Sequence, residues 1–508
     1  MKRAVCAVLA AIALWAPGNA FAAWNEARSP HFIVYSDGPV DQLERFTQQL
    51  EKFDGLLRLA TGVDRENQSP PLRVFVLRTE DQVGKLAGNS NIAGYYSTTD
   101  SFAYAVVSRS AKSWTFDVAP EDVLFHEYAH HFMLHYFPAA YPAWYVEGFA
   151  EFYSVIKFPK TGAIQFGLIP MARAPQLVMF PLYPVEELIV REPDDKMSAP
   201  DMSRFYATAW LLTHYLQNHE TRRAEFKRYL TDLVSGKRDA KLDDYFEGGG
   251  KALDKELRAY LHKRLTAQQL APGAVPDATV TVTPVEAGRA ALMVQEVKLA
   301  HGVKDKEREA FAQEVGAIAA RFPASAYAQA LHADALYLAD KSTEALAATD
   351  RAITLDAGQA RALATRAEIL LERADESDKA EDWSAALKQI SRANRADLEN
   401  PLPLQLFYRY NKMRGGPMPD LGYDGLNAAF ARLPQNPEYR FLYASSLADR
   451  RMYAQAIMVL DPIAYSPHES GMREAASKLQ EAFRTAQATG DPVAAAALDA
   501  AEDSAREE

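Results

Sequence analysis

The sequence predicts an α+β N-terminal domain, a small sheet with helices packed on it, followed by an all-α domain of helical repeats. Three observations predict it. Short strand-like runs alternate with helical periodicity through the first half of the chain. A stretch punctuated by Pro272, Pro276 and Pro284 then interrupts both patterns. Beyond it the texture turns alanine-rich and helical, with few strand signals.

The chain starts with Met1-Lys2-Arg3, an apolar run over residues 4–16, and Ala20-Phe21-Ala22. A basic start, a short apolar stretch and a small-x-small site make residues 1–22 a secretory signal peptide of bacterial type. Cleavage after Ala22 removes Cys6, the one cysteine, and leaves a chain without disulfides. The expected location is periplasmic or secreted. No later stretch is long and apolar enough to span a bilayer, so the mature chain is expected to carry no transmembrane segment. With 48% hydrophobic residues, the 508-residue chain can build large cores. Its net charge of −11 argues against a nucleic-acid partner, because phosphate neutralisation needs a basic surface.

Residues 31–36 read as a strand, and Leu43, Phe46, Leu50, Phe53 and Leu57 then recur at helical spacing. Residues 72–77 form a second strand candidate, 80–86 a short helix and 101–108 a third strand. Helices follow over 120–136, 144–156, 205–216, 221–233 and 253–265. The first domain is thus expected over residues 23–265, with a linker over 266–285 and the repeat domain over 286–508. In that last part, Ala333, Leu336, Ala345, Ala352 and Leu355 fit a helix-turn-helix unit of about 34 residues. Ala386, Ile390 and Ala393 fit a second unit, and Ala444, Leu447, Ala456 and Leu460 a third. Small residues let paired helices approach and larger ones fill the gaps. The pattern resembles tetratricopeptide repeats, with plain alanine-rich hairpins as the alternative. Such an array offers a concave face for a protein partner.

The chemistry concentrates in His126-Glu127-Tyr128-Ala129-His130. On a helix the two histidines lie one turn apart on one face, so both can reach one Zn²⁺ at about 2.0–2.1 Å. Glu127 is rotated by about 100° from His126, beside such an ion, where a general base for its bound water must stand. A third ligand is available in Glu147, 17 residues after His130. Glu151 follows four residues later on the same face and can accept a hydrogen bond from a ligand histidine.

HEYAH followed by WYVEGFAE resembles the gluzincins, the zinc metallopeptidases that include thermolysin and the large aminopeptidases. The resemblance implies a zincin-like fold for the first domain and hydrolysis of peptide bonds. His126, His130 and Glu147 would be ligands to one zinc ion and Glu127 the general base. Glu151 would orient a ligand histidine. Tyr206 is the candidate for stabilising the oxyanion, with an ordinary packed aromatic as the alternative. His214 and Tyr215 are weaker candidates, and His131 and His135 read as packing or surface residues. By the same resemblance, the strand at 102–107 would be an edge that binds substrate backbone. The rival reading is a catalytically idle zincin-like domain within a periplasmic repeat scaffold for protein–protein interaction.

Overall fold

The computed structural model describes residues 23–64, 69–89, 92–110, 120–190, 197–238, 240–466, 470–491 and 493. The expected signal peptide lies outside them. The chain is a mixed α/β structure with one principal sheet and many helices. The sheet comprises β1 (Asn25–Arg28), β2 (Phe32–Ser36), β3 (Leu72–Leu77), β4 (Gly94–Thr98), β5 (Ala103–Ser108) and β8 (Thr281–Pro284). Its order is β4-β5-β3-β2-β1-β8, with β2, β3 and β5 parallel and the outer strands antiparallel to their neighbours. A small second sheet pairs β6 (Ile164–Phe166) with β7 (Gln268–Leu270).

The sheet is buried on both faces, and its alternation sorts the side chains. Ala27, Val34, Val74 and Ala105 lie in one row and join the main core. That face is covered by α1 (Val40–Thr61) and, past the short α2 (Glu80–Ala87), by α3 (Pro120–Tyr136). The neighbouring row Tyr35, Phe75 and Val106 points the other way, into a second cluster with Trp24, Phe102 and Tyr104. Helix α4 (Ala143–Ser154) folds back on α3 after the turn at Pro138–Pro142, and α5 (Ala174–Met179) and α6 (Val185–Leu188) follow. Then come α7 (Ala199–Asn218), α8 (Glu220–Val234) and α9 (Gly249–Leu261).

The expected linker departs from this sequence reading. Its residues build β7 and β8, and β8 extends the sheet by pairing with β1. The alternation Thr281-Val282-Thr283 is a strand signal that the flanking prolines masked. Strands β1 and β4 also lie outside the sequence reading, because both are short and partly polar, with little alternation to mark them. β4 moreover displaces β5 from the edge: the strand expected to receive substrate lies inside the sheet, between β4 and β3.

The last part of the chain is helical throughout. α10 (Ala287–Ala291), α11 (Met293–His301) and α12 (Asp305–Ala319) lead into paired helices: α13 (Ala326–Leu338) with α14 (Ser342–Leu355), and α15 (Ala360–Ser377) with α16 (Ala380–Ala396). α17 (Leu402–Arg414) with α18 (Asp420–Arg432), α19 (Pro437–Asp449) with α20 (Tyr453–Ala464), and α21 (Ser470–Thr489) complete it. Three hairpins turn through a left-handed non-glycine residue, Asp340, Asp378 and Arg451, while α17 and α18 are joined through Gly415 and Gly416 at positive φ. Those glycines open the short connection between the two helices, over residues 415–419.

This array does not stand apart from the sheet. Met293 and Val297 of α11 complete the second sheet cluster, and Tyr408, Leu426, Tyr439 and Leu442 belong to the main core. Arg238 and Asp461 form a bidentate pair at 2.7 and 2.6 Å across the two parts. A fragment ending at residue 265 therefore exposes the Trp24, Phe75 and Tyr104 face, at about 1.5–3 kcal/mol per uncovered large side chain. It is expected to aggregate and bind hydrophobic dye, whereas a fragment reaching residue 301 restores β8 and α11 and binds less.

A buried polar network fixes α3 to α1. Asp54 accepts from Tyr128 Oη at 2.7 Å and from Arg58 Nε at 2.6 Å. Glu51 accepts from both the backbone nitrogen and Nδ1 of His31 at 2.8 Å. Burial opposes protonation of His31, but the hydrogen bond to Glu51 and the charge of Asp54 outweigh it, and its pKa is raised from 6.5. Burial likewise disfavours the Glu51 carboxylate, yet His31 and Ser29 hold its pKa below 4.5. The histidine's contribution to stability is complete below its unfolded pKa and fades as pH rises through its raised value. That of Glu51 is present above its unfolded pKa and fades as pH falls through its lowered value. His31→Ala should therefore lower Tm more at about pH 6 than at about pH 9 in paired thermal melts.

Candidate metal centre

Helix α3 buries Leu124, Phe125, Ala129 and Phe132 and turns His126, Glu127 and His130 into a cleft. Helix α4 sets Glu147 against the two histidines, with no exposure to solvent. What holds α4 there is its contact with α7. A Cβ on Gly148 would fall 2.7 Å from the backbone oxygen of Ala209 and 2.2 Å from Thr213 Oγ1. Glycine beside the glutamate is thus what lets the two helices close.

Three atoms converge. His126 Nε2 and His130 Nε2 are 3.1 Å apart, and Glu147 Oε2 lies 3.4 Å from the first and 3.6 Å from the second. A tetrahedral ion with ligands at about 2.0–2.1 Å separates its ligand atoms by roughly 3.3–3.4 Å. The triangle therefore fits one small divalent cation, and these three residues could hold a metal ion. The electrostatics agree. Burial alone would discourage positive charge on His126, but Glu147, Glu151 and Glu127 outweigh it and raise its pKa. The site favours a cation, whether proton or metal.

Glu151 is also at this centre, differently held from the sequence expectation. Its Oε1 accepts from Arg173 Nε at 3.0 Å and Nη2 at 2.8 Å, while His126 Nδ1 stands 4.0 Å away. The arginine is its principal partner, and the histidine is a charge neighbour rather than a hydrogen-bond donor. Arg173 lies between Pro170 and Pro175, where no periodicity pointed to it. Its guanidinium also sits over the Tyr206 ring at 4.8 Å. Tyr206 lines the cleft beside His126, ring centres 6.5 Å apart. Burial, and then the charge of Glu147, raise its pKa far above the ordinary value, so its hydroxyl stays protonated and can donate.

The remaining candidates lie elsewhere. His214 packs among Phe152, Trp210 and Tyr260, and burial lowers its pKa to about 4. Tyr215 donates to Glu256 at 2.8 Å. His131 is buried against Tyr128, with Tyr96 Oη at 2.9 Å from its Nδ1, and burial lowers its pKa to about 3. His135 faces Ser69 at 3.1 Å.

The cleft has a volume of about 960 Å³ and two walls. Tyr96, Ser97 and Thr98 of β4 form one, beside α3. The other comes from the helical array, through Arg409, Gln435, Asn436 and Glu438. Contacts at 3.2 Å from Asn436 Nδ2 to the Thr99 oxygen and from Arg440 Nη2 to the Leu134 oxygen fasten it. No reading of the sequence placed the array here, because contacts between residues some three hundred positions apart leave no local pattern.

Compared with models of known protein families, with curated proteins and with solved structures, the chain finds no match in any of the three.

Gly148→Ala tests the geometry. Forcing α4 from α7 should cost about 1–3 kcal/mol in urea unfolding and weaken metal binding by displacing Glu147. Thr213→Ala, which removes a side chain without adding one, should leave metal binding nearly intact.

Proposed function

We propose that this protein is an exported zinc metallopeptidase, a gluzincin-like hydrolase of peptide bonds, with tetratricopeptide-like repeats as its second part. The single observation that carries the proposal is the convergence of His126, His130 and Glu147 with Glu127 and Tyr206 in one cleft. A zinc ion held by the three ligands would polarise the scissile carbonyl and acidify water. Glu127 accepts a proton from the attacking water and delivers it to the leaving amine nitrogen. Tyr206, kept protonated, donates a hydrogen bond to the oxygen that gains charge. Arg173 holds Glu151 and packs on the tyrosine ring, so it fixes both neighbours of the reacting centre.

The antiparallel strand β4 supports the same reading. It is the edge of the sheet, it borders the cleft, and an extended peptide can pair with such an edge. The shared left-handed turns of three hairpins support the repeats. Part of the array also lines the cleft in cis, and its remaining concave face is offered to a protein partner. Among the described residues no helix is long and apolar enough to cross a membrane. The expected export of the chain rests on the sequence at 1–22.

Purified protein should contain about one zinc per chain and cleave members of a peptide library, with activity lost to a chelator. Glu127→Gln should abolish turnover and keep the metal, whereas His130→Ala should lose both. Tyr206→Phe should lower kcat by roughly 10²–10³-fold with little change in KM. Absence of bound zinc would sink the reading, and a metal-loaded protein that cleaves nothing would leave the scaffold.

A further inference from the structure

The array's wall carries a cation, Arg409, whose donors are not spent on docking the array, although its charge is felt by Glu368, Tyr337 and Tyr439. Arg409 projects from α17 into the metal cleft. Its neighbours Gln435, Asn436 and Arg440 reach across to the first part of the chain, and Glu438 is held within the array. Gln435 Nε2 meets His131 Nδ1 at 3.3 Å, and Asn436 donates to the Thr99 oxygen. Glu438 accepts from Gln405 Nε2 at 3.3 Å, and Arg440 donates to the Val459 and Leu134 oxygens. Tyr439 Oη donates to the Asp100 oxygen. Arg409 alone of this group has no hydrogen bond and no ion pair among the described residues, although its charge reaches Glu368 and Tyr337 at longer range.

A partly buried guanidinium has a rigid fork of donors and loses hydration without compensation when nothing fills it. Its position in the same cleft as the metal ligands gives it a natural occupant, which is a carboxylate of the bound peptide, matched by two parallel N–H donors. We propose that Arg409 is the specificity-determining anion receptor of this cleft, and that the substrates are peptides bearing a carboxylate, either the free C-terminus or an Asp or Glu side chain. This rests on the peptidase reading for its substrate. It gives the helical array a direct part in substrate choice.

The full mature chain with Glu127→Gln, zinc-loaded, allows binding to be measured without turnover. Calorimetry would compare one peptide as free acid, as C-terminal amide, and with its acidic side chains changed to Asn or Gln. The acid-bearing forms should bind at least tenfold tighter than the form lacking both kinds of carboxylate, and the single replacements identify which kind Arg409 receives. Adding R409Q should remove that preference while changing affinity for the neutral form less than twofold, and R409K should restore part of it. Equal binding of acid and neutral forms, binding of none, or an equal loss for all forms in R409Q would overturn the proposal. Should R409Q fold poorly, the comparison of peptide forms on the arginine-bearing chain decides alone. Turnover by the chain with Glu127 intact separates the two readings: zinc without cleavage defeats the peptidase, whereas the binding comparison still judges Arg409.

Discussion

A carboxylate with no solvent exposure, set against two imidazoles, is the constraint on which this structure turns. Burying Glu147 costs several kcal/mol unless positive charge meets it. The ring nitrogens of His126 and His130, within 3.4 and 3.6 Å, meet it only with a proton or a metal ion between them. Everything around the site limits relaxation. Asp54 and Arg58 tie α3 to α1 through Tyr128, Gly148 seats α4 on α7, and Arg173 pins Glu151 behind His126. Removing one restraint frees a helix to move, and the triangle of ligand atoms has only tenths of an ångström to give.

The sheet imposes the second constraint. Because both of its faces are apolar, it needs a layer on each side. Helices α1 and α3 supply one, and α2 with α11 supply the other. The second layer is finished only by residues beyond 285, so β8 and α11 commit the array to start beside the sheet. From there the paired helices continue until α17, α19 and α20 reach the cleft. That Arg409 lines the same cleft as His126 and His130 is thus a consequence of how the sheet is covered.

The local motifs were legible in the sequence, and the long-range assembly was not. The i, i+4 histidines and Glu147 came from spacing, because helical geometry alone brings those atoms together once α4 folds back. Tyr206 is named only through the gluzincin resemblance, and it borders the cleft. Arg173 escaped notice because it acts from an irregular loop. β1 and β4 are short and partly polar with little alternation, and the alternation in β8 is masked by its flanking prolines. The proline-punctuated 266–285 stretch read as a linker, and its valines instead sit partly against the main core. The array's contact with the metal region leaves no periodic trace, since Gln435 and His131 touch across 304 positions.

Enclosure changes what these charges are worth. In an open groove, Arg409 and Glu127 would act through water, and a unit charge would be felt weakly beyond about 10 Å. Between β4 and the array, a peptide bound as proposed would displace that water, and each charged contact would strengthen as the local dielectric falls. The same enclosure restricts size. A cleft of about 960 Å³ holds a few residues of extended chain, so on the proposed peptidase reading a substrate would be a terminus or an unfolded segment rather than a folded surface. If Arg409 acts as proposed, selection by shape and selection by carboxylate would come from one wall, and the helical array would take a direct part in recognition.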